Sequence, residues 1–153
     1  MNDARTWSAD AVLATLRRFL LILLVLGLAG VGAELVALAH YEDSWQLAPL
    51  VLIVLAVFVI GWHVLDGSAA TVHGLRIVMV MFIAAGIVGI VLHYRGNLEF
   101  QLELDPSQSH WTLFGKVIRA HAPPALAPGA MAQLGLLGLV YTFRHPAIKR
   151  ERI

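Results

Sequence analysis

The chain contains no cysteine. Disulfides, thiolate metal sites and a cysteine nucleophile are therefore excluded. Charge is scarce as well: 14% of residues are Asp, Glu, Lys or Arg, against about 25% in a soluble domain. The two signs nearly cancel, to a formal net charge of +1. No basic field for nucleic acid exists. No serine stands in a nucleophile-elbow context, and the Gly86–Gly89 pair is a packing motif rather than a phosphate loop. No catalytic signature is present, and the expected role is non-enzymatic.

What the chain has in quantity is apolar length. Hydrophobic residues make up 59% of it, gathered in four runs at residues 19–39, 47–65, 75–92 and 126–143. Each approaches the ~20 residues that carry a helix across a ~30 Å hydrocarbon layer. The expected fold class is all-α, an integral membrane antiparallel four-helix bundle over residues 17–143. A tail at 1–16 precedes it, a basic tail at 144–153 follows it, and residues 93–124 form a small extracytoplasmic cap. The first run exceeds the ~7–15 residues of a signal-peptide core, so it is expected to remain as a span. Gly27, Gly30 and Gly32, then Ala85, Gly86 and Gly89, then Gly129, Ala132, Gly135 and Gly138 offer faces on which helices approach closely.

Lys and Arg are unevenly placed. Arg5, Arg17, Arg18, Arg76, Arg144, Lys149, Arg150 and Arg152 flank one set of span ends, and Arg95, Lys116 and Arg119 the other. The positive-inside rule then sets both termini in the cytoplasm. A bacterial inner membrane is the expected location, with the cap in the periplasm.

The cap has its own pattern. Residues 98–104 alternate strictly between apolar and polar, which predicts an extended segment with one apolar face. A lone strand is marginal, so a protein partner or a second copy is expected to pair with it. Beyond Asp105-Pro106-Ser107, the residues Trp111, Phe114, Val117 and Ile118 recur at helical spacing. They predict an amphipathic helix in the outer interface. The bilayer is the other partner, and nucleic acid is not one.

Chemistry-bearing residues gather toward the outer ends of the spans. Glu34 sits inside an apolar run, where a carboxylate normally faces the interior with a partner. Gln133 is the expected partner. The pair reads either as a proton-, cation- or ligand-binding carboxylate or as a neutral hydrogen-bonded clasp between helices. Glu34, His40, His93, Arg95 and Gln133 form the candidate ligand-binding set. His40, Glu42 and His93 are the candidate metal ligands, suited to zinc or another divalent ion. A haem b alternative uses His40 and His93 at the outer level and His63 and His73 at the inner one. The leading expectation is a small non-catalytic membrane subunit or binding protein whose outward polar site docks a partner, a small ligand or a cation. A haem- or metal-binding redox subunit and an oligomeric small transporter are the alternatives.

Overall fold

The computed structural model describes residues 8–120 and 126–150, the side chains of 149 and 150 excepted. Every regular element among them is a helix: α1 (Ala9–Ala37), α2 (Ser44–Asp66), α3 (Ala69–Leu104), α4 (His110–Ile118), α5 (Leu126–Thr142) and α6 (Pro146–Arg150). α1, α2 and α3 are long and apolar enough to cross a membrane, and α5, at 17 residues, is a shorter apolar helix.

Local chemistry sets the boundaries. Ser8 caps α1 by accepting from the Ala11 N–H at 3.2 Å. α1 ends in a left-handed residue, Ala39 (φ 53°), while the His40 N–H returns to the Leu35 carbonyl at 2.9 Å. That bond pattern satisfies orphan carbonyls of the last turn. The Gln46 side chain reaches back to accept from the Glu42 and Asp43 N–H groups at 2.9 and 3.3 Å, which starts α2. Gly67 (φ 63°) closes α2 and Ser68 opens α3. The two helices are thus folded back on each other by a turn that only glycine enters without strain.

α1, α2, α3 and α5 share one apolar core. It includes Leu24 and Leu28 of α1, Ala56 of α2, Leu75, Met79 and Phe82 of α3, and Met131 of α5. The α3–α5 seam is the tightest contact. A Cβ on Gly86 would stand 2.6 Å from the Pro128 carbonyl oxygen, and one on Gly135 would stand 2.6 Å from that of Met79. Backbone meets backbone there, as small residues permit between membrane helices. The outside is as apolar as the inside: Phe19, Ile22 and Leu26, Val54 and Phe58, Ile77 and Val80, and Val140 are all exposed. A soluble monomer seldom exposes a contiguous apolar patch beyond a few hundred Å², so these helices are built for a lipid surround.

The expected strand at 98–104 is not formed. α3 runs unbroken through Leu104, and no strand occurs among the described residues. Leu, Glu and Gln are strong helix formers, and extending an existing helix needs no new nucleus. A strand there would have had no partner. This part of the chain is the end of α3 with α4 folded against it. Asp105 accepts from both the N–H and the hydroxyl of Ser107, at 3.0 and 2.7 Å, and these bonds hold its carboxyl below the usual range. Gln108 donates to the Gln101 and Asp105 carbonyls at 2.7 and 2.8 Å, stitching the corner. α4 buries Leu113 and Val117, while Trp111, Phe114 and Ile118 stay exposed on an adjacent stripe. The expected apolar face is thus split, with Val117 alone of the four inward. Pro123 and Pro124 lie outside the described residues.

Candidate functional site

Two polar clusters stand at opposite ends of the helices. At the α1–α2 end, the Ala39 turn swings His40 over α3, where it meets His93. The two imidazoles lie parallel, 8° apart in plane, with centroids separated by 6.2 Å. Both rings are half-buried. Glu42 and Arg95, each two residues on in sequence, are exposed. Among the described residues, no group of three His, Cys, Asp or Glu side chains is placed to hold a metal ion. The pair accordingly offers two protein ligands, with Glu42 outside that set.

Glu34 and Gln133 do not meet. Both are exposed, and no hydrogen bond joins them. The reason lies in register and in helix phase. Gly27 packs on Leu134 and Leu24 beside Gly138, so α1 and α5 run antiparallel. Carried along α1, that register sets Glu34 level with Ala127, about six residues or ~9 Å from Gln133 along the axis. Leu24, Leu28 and Leu35 define the buried face of α1, and Glu34 is one residue, ~100° of rotation, off it.

The second cluster, at the α2–α3 end, escaped the sequence reading except for His63. His63 is buried, with its Nδ1 2.8 Å from the Thr71 hydroxyl and its Nε2 2.8 Å from the Tyr141 hydroxyl. The tautomer follows from counting protons. Thr71 spends its only hydroxyl proton on the Ser68 carbonyl, at 2.8 Å. Its oxygen therefore accepts from His63 Nδ1–H, and His63 Nε2 accepts the Tyr141 O–H. In the neutral imidazole this tautomer uses both nitrogens and bridges α2, α3 and α5. No nitrogen is left for a haem iron. His73, the other inner histidine of the haem reading, is exposed, and its Nδ1 donates to the Ala69 carbonyl at 2.8 Å.

His145 completes this end. Its ring centroid lies 5.2 Å from that of His63 and 5.6 Å from that of Tyr141. Its Nδ1 accepts the Ala147 N–H at 3.3 Å and so caps α6. Burial, then the neighbouring His63, Arg17 and Arg76, push its pKa down to about 4. The arginines are held by the end of α5. Arg76 donates to the Thr142 carbonyl at 2.7 Å and Arg17 to the Arg144 carbonyl at 3.3 Å. Each places a cation at the negative end of a helix dipole.

Sequence signals for this cluster were faint. His63 and Tyr141 are 78 residues apart, and Thr71 is polar only by its hydroxyl. A histidine on the buried face of an apolar helix was the one available cue, since a polar group in hydrocarbon needs a partner. Comparison with family models, with curated proteins and with solved structures gave no match.

Proposed function

We propose that this chain is a small non-catalytic membrane protein that captures a divalent transition-metal cation at its α1–α2 end, between His40 and His93. The observation that carries this reading is the closeness of the two imidazoles, with centroids 6.2 Å apart; a bound ion lies in the plane of each ring, so the stacked pair turns about its side-chain torsions to aim both nitrogens at one ion. A metal–imidazole bond is ~2.0–2.1 Å, and the ring centre lies about 1 Å behind the nitrogen. Two rings sharing one ion therefore have centroids ~5–6.5 Å apart, depending on the bond angle. Water, or Glu42 after a rotamer change, fills the remaining positions. Imidazole ligands suit zinc, copper and nickel.

The same proposal takes α5 as a fourth span. Its 17 residues reach ~25 Å at 1.5 Å per residue, near the lower limit for crossing. It also lies along α3 through the Gly86 and Gly135 contacts, so it shares the depth of α3. In this arrangement the arginine-rich α2–α3 end faces the cytoplasm of a bacterial cell and the histidine pair faces outward. The cap beside the pair is then the surface a protein partner would reach.

Isothermal titration of the purified full chain with Zn²⁺ tests the reading. Stoichiometric binding is expected, with affinity falling at least tenfold in His40→Ala and in His93→Ala. Absent binding, or binding untouched by both substitutions, removes the metal site.

A further inference from the structure

We infer that the α2–α3 end binds the phosphate of an anionic lipid between Arg17, Arg76 and Arg144. Arg17 of α1 and Arg76 of α3 are fixed on carbonyls two positions apart, those of Arg144 and Thr142. The Arg144 guanidinium lies 5.5 Å over the Phe143 ring. Guanidinium groups from α1 and α3 are thus fixed at the end of α5, and Arg144 adds a third cation two residues beyond it. Each guanidinium carries five N–H donors, and the carbonyl bonds use only a few of them. Half a unit of negative helix-end charge, ~0.5 e, offsets little of this.

No carboxylate among the described residues pairs with these cations. Among the described residues, none of the three arginines forms an ion pair, and the acids of this end, Asp10 and Asp66, are exposed. His145 feels Arg17 and Arg76 with no opposing acid. Phosphate oxygens are the matching ligand for such forks, which bind them in pairs of parallel bonds. A lipid phosphate is favoured over a soluble one because each arginine adjoins exposed hydrocarbon. Phe19 follows the Arg17-Arg18 pair, Ile77 follows Arg76, and Phe143 precedes Arg144. Acyl chains have a surface to lie on where the headgroup is held. This inference rests on the membrane placement of the helices and is independent of the histidine pair.

The test is lipid retention by the full-length protein, read by native mass spectrometry after reconstitution. One reconstitution uses phosphatidylcholine alone, a second adds phosphatidylglycerol, and a third replaces phosphatidylglycerol with inorganic phosphate. Retention of phosphatidylglycerol is expected, weakened about tenfold by Arg76→Gln, as loss of a charge-assisted bond implies. Arg144→Gln, whose side chain makes no protein hydrogen bond among the described residues, keeps the fold and is expected to weaken retention several-fold. Arg119→Gln at the opposite end leaves it unchanged. Equal loss in Arg119→Gln, or full retention in Arg144→Gln, overturns the site. Retention of inorganic phosphate to the same extent overturns the lipid assignment.

Discussion

At the scale of single residues, the His63 network is the feature with the most to lose. A buried group deprived of its partner costs about 1–3 kcal/mol, although hydrogen bonds between membrane helices average nearer ~0.6 kcal/mol. Tyr141→Phe removes the donor to His63 Nε2 while keeping the ring, and Thr71→Val removes the acceptor at Nδ1. Each is expected to cost about 1 kcal/mol in an SDS-unfolding titration. The double variant should lose less than the sum, because His63 turns toward a new partner once both are gone. Strict additivity would show that the three side chains do not act together.

His145 supplies a pH signature. Its folded pKa, about 4, lies below the ordinary 6.5. The unfolded chain therefore binds more protons between these values, and stability drops as pH falls from about 6.5 toward 4. Above that window the contribution is fully present, and below it the loss is complete. Protonation also ends the acceptance of the Ala147 N–H at Nδ1. His145→Asn retains an acceptor for that N–H and cannot titrate. Melting curves across this range should be flatter in the variant than in the wild type, and an identical slope would rule His145 out as the sensor.

Among the helices, the apolar runs were legible in the sequence because apolar length leaves few alternatives to a buried or lipid-facing helix. So was the turn at Asp66-Gly67-Ser68, where a left-handed glycine and a capping serine adjoin. Residues 98–104 are helical despite their alternation, because seven residues of alternation carry no information about what precedes them. The helix that enters at Leu92 simply continues. Glu34 and Gln133 stay apart for a different reason: depth within a single span does not fix register between spans, which is set by Gly27 against Leu134 and by the α3–α5 seam. His40 and His93 stand ring to ring, since both end apolar stretches at the same level. That seam is also where a small change does most damage. Gly135→Ala puts a methyl against the Met79 carbonyl and Ile83, backbone that has no room to yield. Overpacking of this kind costs about 1–3 kcal/mol. The exposed Gly30, with nothing near its absent side chain, should accept Ala without loss in the same unfolding assay.

Considered as a whole, the molecule keeps its unlike chemistries apart. Arginines and a sealed, neutral hydrogen-bond network occupy the α2–α3 end, and two half-buried imidazoles occupy the other. Between them lies a core held by close backbone approach, wrapped in exposed hydrocarbon. Among the described residues, only the imidazole end has ring nitrogens uncommitted to protein partners and close enough to act jointly. ¹⁵N-histidine NMR of the full chain in micelles, followed as Zn²⁺ is added, addresses that end directly. The account predicts that the His40 and His93 ring signals move together and saturate at one equivalent, while His63 does not move. A response from one of the two alone, from neither, or from His63 in their place would contradict it.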